Sequence, residues 1–402
     1  MKIAQVYIQN FANFTGFQMD LTYPEEHPRA GQAMDRVCLI GENGAGKSRL
    51  MQILIDYLRS IIRFRSKALF IVKLEVGGRF IYSVHLMNNT LFFSDEIDQE
   101  PEWLLELIRD QAFTLAFNTK YEKYCIGFEE DPELFDSLWF DNNTDNVILH
   151  YPADYYKDRT TLLSDVPMTK GHEAESLKHT FPLFNLISPE KITEFWALLI
   201  YLIVKRERAF REYADNKEQR IKPTAIVEAN FSKTYPEVLT TLKALWEPLL
   251  DKVGLTLDIE NAETPRHIKD RLKLYLIRKS NGERVGYNLL GTGLRRHLFS
   301  LAHTWGLFFQ RELRNSFTFF EEPEESLHPK LLKGLVPQYS ELTQAGQMFV
   351  STHHPLIAAE FESAERLILE RNEKGEVAIR RSEAGEGAGV EALLKSDFGL
   401  SL

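Results

Sequence analysis

Apolar residues recur along this chain at two spacings, one residue in two and about one in 3.6, and each change of spacing marks a change of element. Alternating apolar positions in Ile3-Ala4-Gln5-Val6-Tyr7-Ile8 and in Phe17-Gln18-Met19-Asp20-Leu21 predict two strands joined through residues 10–14. A polar stretch with Pro24, Pro28 and Gly31 then predicts a loop, and Arg36-Val37-Cys38-Leu39-Ile40 a short buried strand. Leu50, Ile53, Leu54 and Leu58 have helical spacing and predict a helix over 49–60. Two further apolar runs, 69–76 and 79–86, flank Gly77-Gly78 and predict a hairpin, with Leu91-Phe92-Phe93 as a third strand. Residues 101–145 are mixed, with a helical piece over 101–109, and Val147-Ile148-Leu149-His150-Tyr151 reads as a buried strand.

The period then lengthens. Ser188 before Pro189 is an N-cap signal, and Ile192, Phe195, Trp196, Leu199, Leu202 and Ile203 predict one long helix whose charged tail runs through Arg220. A second helical stretch, 235–253, carries Val238, Leu242, Leu245, Trp246, Leu249 and Leu250. From Leu255 short strands return, over 255–259 and 272–278, followed by a helix that opens at Leu289-Leu290-Gly291-Thr292-Gly293-Leu294-Arg295-Arg296 and runs through Phe309. Phe317-Thr318-Phe319-Phe320 is an apolar strand ending in Glu321-Glu322, His328-Pro329 starts another helix, and Met348-Phe349-Val350-Ser351-Thr352 is a strand ending at His353-His354. These patterns predict an α/β protein in three parts: 1–155, a helical insertion over 156–254, and 255–402, with Trp196, Trp246 and Trp305 in the core.

Composition narrows the class. The chain is 44% hydrophobic and 26% charged, ordinary for a folded protein, and its net charge of −10 argues against a surface coated by nucleic acid. The cluster Lys205-Arg206-Arg208-Arg211 reads either as a solvated helix face or as a local contact to DNA or a partner. Cys38 and Cys125 offer neither a disulfide framework nor metal spacing. The longest apolar run, 195–204, is too short to cross a bilayer and no secretory leader opens the chain, so the expectation is a cytoplasmic protein without membrane contact.

The chemistry is concentrated at one motif. Gly41-Glu42-Asn43-Gly44-Ala45-Gly46-Lys47-Ser48 reads G-x-x-x-x-G-K-[ST] and lies between a predicted strand and a predicted helix, the context that a phosphate-binding loop requires. Its backbone N–H groups can converge on phosphate oxygens at a helix N-terminus, Lys47 can reach the β- and γ-phosphates, and the Ser48 hydroxyl can ligate Mg²⁺. A strand that delivers Glu321 and Glu322 beside such a loop can hold Mg²⁺ through one carboxylate and polarise a water with the other. In a parallel sheet ligands gather at the carboxyl ends of strands, so the loop, the carboxylates and His353 are expected to converge. His328 and His354 read as structural, and no spacing suits a histidine-based metal site. Phe11 and Phe14 read either as a border for an adenine ring or as hairpin core.

In their order along the chain these motifs resemble the ABC-type ATPase heads of the SMC, RecF and OLD group, a group that includes stand-alone AAA-like ATPases of bacterial phage-defence systems. The resemblance covers residues 1–50 and 285–360 and implies a P-loop NTPase of ABC-ATPase type with an N-terminal β-hairpin lobe and an inserted helical lobe. It makes 41–48 the Walker A loop, with Arg49 beside the nucleotide, Glu321 the Walker B acid on Mg²⁺, Glu322 the base that orients the attacking water, and His353 the γ-phosphate sensor. Gly291, Thr292 and Gly293 stand where the family's signature motif lies and are expected to cap the ATP of a second subunit, so that a side chain at Gly293 would occupy the space the phosphate needs. Two departures stand out: Glu321 replaces the usual Asp, and the signature serine is absent. The implied protein is an ATP-hydrolysing switch, at least a dimer, whose effector is a separate nuclease or toxin, since no nuclease domain follows His353. The alternative in the same group is a DNA repair or recombination ATPase of RecF or SMC type. A transporter ATPase fits the hairpin opening and the helical insert poorly.

Overall fold

The computed structural model describes residues 1–86, 89–100, 102–109, 120–138, 146–153, 184–186, 189–263, 273–286, 289–308, 315–343, 346–385, 387 and 389–399. Ser188, Leu272 and Phe309 lie outside them, as does the placement of the Phe195 and Trp196 side chains.

β1 (Lys2–Phe11) and β2 (Phe14–Asp20) form the expected hairpin, but the connection is two residues rather than five. Ala12 takes φ +54°, a turn conformation that follows the strand twist and lets pairing run on to Phe11 opposite Phe14. β3 (Arg36–Ile40) leads through the glycine loop into the helix Lys47–Leu58. β4 (Phe70–Val76), β5 (Arg79–Leu86) and β6 (Asn89–Ser94) follow, and Gly77 and Gly78 both have the positive φ that the tight β4–β5 turn demands. These strands build an antiparallel sheet in the order β2-β1-β4-β5-β6.

β7 (Asn146–Tyr151) and β8 (Phe184–Leu186) belong to a second sheet. The helix from Pro189 ends at Ala214 instead of running through Arg220, because the Asn216 side chain accepts a hydrogen bond from the Glu218 N–H and so caps a new short helix, Lys217–Arg220. The helix Thr224–Thr234, not expected from the sequence, buries only Val227 and Phe231, a stripe too narrow to register as a period. The helix Val238–Leu250 and a small antiparallel sheet of β9 (Leu255–Glu263), β10 (Lys273–Arg278) and β11 (Arg284–Val285) follow. Then come the helix Thr292–Phe308, β12 (Asn315–Glu321), the helices Pro329–Leu332 and Leu335–Leu342, and β13 (Gly346–Thr352). β14 (Arg366–Arg371), β15 (Val377–Arg381) and the helix Val390–Ser396 end the described chain.

The second sheet has seven strands in the order β15-β14-β3-β13-β12-β7-β8, all parallel except β15. The strands β3, β13, β12 and β7 are buried on both faces, as parallel strands usually are. Cys38, Ile40, Leu149, Tyr151, Phe320 and Val350 face the helices 238–250, 292–308 and 335–342. Val37, Leu39, Phe317, Phe319 and Phe349 face the helix 47–58 and the five-stranded sheet. Trp246 donates its indole N–H to the Leu298 carbonyl (2.9 Å), so the second helical stretch is part of the core over the sheet, and β8 brings a further piece of 156–254 into the sheet itself. Within the 205–211 cluster Arg206 donates to Tyr235 O, Pro236 O and Ser232 Oγ, and Arg211 pairs with Glu207. Among the described residues no helix is long and apolar enough to cross a membrane.

Candidate nucleotide site

Because the strands from β14 to β7 run the same way, their carboxyl ends lie along one edge, and every expected motif of the site except 291–293 follows from a strand ending there. The loop after β3 holds Gly44 at φ +84° and Gly46 at φ +110°. A Cβ on Gly41 would stand 2.6 Å from the Leu369 carbonyl oxygen, and one on Gly46 would stand 3.0 Å from Val377 Cγ2, so β14 and β15 back the loop so closely that only glycine fits. Arg371, at the end of β14, donates from Nε to the Gly44 carbonyl (2.7 Å). Lys47 is buried and its ammonium donates to Gly41 O (2.6 Å) and Glu42 O (3.1 Å). Burial lowers its pKa, while the charges of Glu322, Glu324 and Glu321 act in the opposite direction. Glu42, Asn43, Gly44, Ser48 and Arg49 are exposed and Ala45 is buried. Gly41→Ala is expected to weaken nucleotide binding by about tenfold or more, since overpacking by one methyl costs about 1–3 kcal/mol; titration with a fluorescent nucleotide checks it, and unchanged affinity would show that the loop tolerates displacement.

β12 ends in Glu321, which is buried. Glu322 takes φ +45°, a strained conformation for a non-glycine residue, and its N–H donates to the Ser351 carbonyl (2.9 Å). Its carboxylate lies 3.3 Å from Nδ1 of the exposed His353 at the end of β13. A third carboxylate, Glu324, stands with these two and was not among the residues expected at the site. Glu324 is buried, accepts from the Thr352 hydroxyl through Oε1, and leaves Oε2 without a partner among the described residues. Thr352 in turn accepts from the His354 N–H (2.9 Å), so Glu324 holds the segment that presents His353. The signal was present in Glu321-Glu322-Pro323-Glu324, where three carboxylates fall within four residues of a strand end. His354 and His328 are structural, each an N-cap before proline that accepts from the N–H two residues on.

Burial raises the Glu324 carboxyl above its usual 4.5. The folded protein therefore holds this proton more tightly than the unfolded chain, and stability is lost as pH climbs from 4.5 through the raised value. Glu324→Gln removes that loss while keeping an acceptor for Thr352. Its melting temperature is expected to exceed that of the unaltered protein by a margin that grows between about pH 5 and pH 8; a margin independent of pH would place the charge cost elsewhere.

A cleft of about 880 Å³ beside the loop is lined by residues 41–45, His353, 368–371 and 397–399. Gly291 and Thr292 are exposed, whereas a Cβ on Gly293 would stand 2.2 Å from Ser326 O and 2.8 Å from Leu327 N. A side chain at Gly293 would thus meet the chain's own turn at 326–327, whereas nothing stands within 4 Å of the Cβ position of Gly291. Arg296 ties the same helix to that turn, donating to Glu321 O (3.0 Å) and pairing with Glu325 (2.6 Å). Of the two aromatic residues considered beside the nucleotide, Phe14 is hairpin core, and Phe11 is exposed with the Arg49 guanidinium 5.5 Å from its ring centre.

A model of the AAA ATPase domain family matches residues 1–358. The chain belongs to that family. An ATPase domain of this family carries a nucleotide site, in agreement with the loop after β3. Three solved structures cover nearly the whole chain: an SMC head bound to the C-terminal winged-helix domain of ScpA (11% identity, 95% of this chain and 97% of that one, TM-score 0.45), a Pyrococcus furiosus Smc head with extended coiled coil bound to the C-terminal domain of ScpA (10%, 94% and 96%, 0.42), and the SMC head from Thermotoga maritima (12%, 95% and 100%, 0.42). At these scores the likeness establishes no function. No curated protein matches.

Within this ATPase domain the donor set suits Mg²⁺. Among the described residues no three His, Cys, Asp or Glu side chains form a metal cage. Mg²⁺ needs none, since it is usually held by one or two protein oxygens together with substrate phosphates, and the Ser48 hydroxyl and the Glu321 carboxylate are oxygen donors of that kind. Glu321 also has a neighbour that the sequence did not reveal: His150, on β7, lies with Nε2 2.7 Å from Glu321 Oε1.

Proposed function

We propose that this ATPase domain is an ATP-hydrolysing molecular switch that completes its site only against a second copy of itself. Lys47, the loop amides and Arg49 hold the nucleotide, Ser48 and Glu321 hold Mg²⁺, Glu322 accepts a proton from the attacking water, and His353 beside it senses the γ-phosphate. Mg²⁺, when bound, neutralises charge on the phosphate oxygens. The observation that carries this reading is the convergence of the glycine loop, Glu322 and His353 at one sheet edge, with His353 Nδ1 3.3 Å from Glu322 and the charges of Glu321, Glu322 and Glu324 acting on the Lys47 ammonium. Gly291 and Thr292 are exposed at the start of a 17-residue helix whose amides suit an anion, and they would serve the nucleotide of the partner copy.

The division of the chain into two ATPase halves, 1–155 and 255–402, around a helical segment, and control of a separate nuclease or toxin in antiphage defence, follow the resemblance to the SMC, RecF and OLD group. Assembly is tested with Glu322→Gln, which should shift with MgATP to a particle of twice the mass on size exclusion with light scattering. Adding Gly291→Trp should abolish the shift and spare nucleotide binding. Gly293→Trp is the wrong probe, because its side chain would displace residues 326–327 of its own chain. Normal hydrolysis by Gly291→Trp would remove the shared site. Copurification with a nuclease or toxin subunit from the native operon supports the defence role, and copurification with DNA alone favours a repair or recombination ATPase.

A further inference from the structure

We propose that His150 is the positioning residue of the Mg²⁺-binding carboxylate: its Nε2–H fixes Glu321 from the neighbouring strand, and the protein's affinity for Mg²⁺ depends on that hydrogen bond. The inference rests on the ATPase reading and goes beyond it, to a residue outside every motif considered above.

β7 and β12 run parallel with His150 opposite Phe319. Glu321, two residues beyond Phe319, therefore points to the same face of the sheet as His150, and the diagonal places Nε2 2.7 Å from Oε1. That face carries the helix 47–58, which begins with Lys47 and Ser48, so the pair lies on the side of the sheet where the phosphate loop lies. His150 and Glu321 are each more than nine-tenths buried, and buried pairs in a dry setting hold one geometry. Nδ1 of His150 has no partner among the described residues, so the ring's contact with Glu321 is its one observed polar role.

The backbone under His150 is itself fixed. Tyr151 stacks on Phe320 at 4.9 Å, and its hydroxyl meets Thr304 Oγ1 (2.8 Å) and His303 Nδ1 (2.9 Å) on the helix 292–308. A side chain held this way orients a carboxylate at no further entropic cost when the ion arrives, the role that partners behind metal-binding groups commonly fill. The Glu321 side chain has one more rotatable bond than an aspartate, and His150 restrains it.

Calorimetric titration of ATP into the full chain, with and without Mg²⁺, tests the proposal, alongside the Mg²⁺ dependence of turnover. His150→Ala is expected to raise the Mg²⁺ concentration for half-maximal effect by about 10- to 100-fold, the usual range for loss of such a partner. Its affinity for ATP without Mg²⁺ should be unchanged. His150→Gln, whose amide N–H can reach the place of Nε2, should recover most of the loss. If His150→Ala does not fold, His150→Asn, with a donor too short to reach, is expected to show the same shift. An unaltered Mg²⁺ requirement in the Ala or Asn variant overturns the proposal, and so does an equal loss of ATP affinity with and without Mg²⁺, which would mark His150 as packing alone. A wild-type protein that binds ATP no better with Mg²⁺ than without it would overturn the ATPase reading first.

Discussion

Glu322→Gln is expected to slow ATP turnover by about 100-fold or more while MgATP still binds, the loss typical of a positioned general base. The amide keeps the shape of the carboxylate and can still face His353, but it cannot take a proton. Glu322 suits the task better than its neighbours. Glu321 is engaged by His150, and Glu324 is buried with its carboxyl pKa raised and Thr352 bound to it. Glu322 is partly exposed on a turn with φ +45°, whereas the other two carboxylates are buried. Steady-state phosphate release together with equilibrium nucleotide binding measures both halves of the claim. If Glu322→Gln turns over normally and Glu321→Gln is inactive, the roles of the two carboxylates are exchanged.

Lys47→Ala is expected to lower ATP affinity by at least about 100-fold, because two charge-assisted hydrogen bonds to phosphate contribute about 1.5–3 kcal/mol each. The fold should survive. Lys47 makes its hydrogen bonds to Gly41 O and Glu42 O, carbonyls of a loop that β14 and β15 already brace through Leu369, Val377 and Arg371. A melting curve recorded beside the calorimetry separates the two effects. Unchanged affinity in a folded variant would take the loop out of the mechanism; unfolding would mean that the ammonium is needed to offset Glu321, Glu322 and Glu324.

Elements that announce themselves locally were legible. β3, the glycine loop and the helix behind it were read within a residue or two, because an apolar run, a glycine pattern and a helical period need only neighbours along the chain. The family match over 1–358 agrees with the resemblance those motifs carried. Residues 366–381 were not read as strands, although Arg366-Leu367-Ile368-Leu369 and Val377-Ala378-Ile379 flank a turn with Gly375; they supply β14 and β15, which back the loop. The two-residue turn at Ala12 was hidden because alanine gives no sign of a positive φ.

By itself, then, the sequence determined the chemistry carried by each strand end: a phosphate loop after β3, carboxylates after β12 and a histidine after β13. Their convergence was expected from the sequence, but tertiary structure alone decided which side chains pair. The strand order places His353 against Glu322, and it brings His150 to Glu321 across 171 residues of chain, a separation at which periodicity carries no information. It also decided that Gly293 is closed by the backbone of residues 326–327 while Gly291 stays open, since the space around a glycine is set by whatever packs against it and not by the residues beside it in sequence.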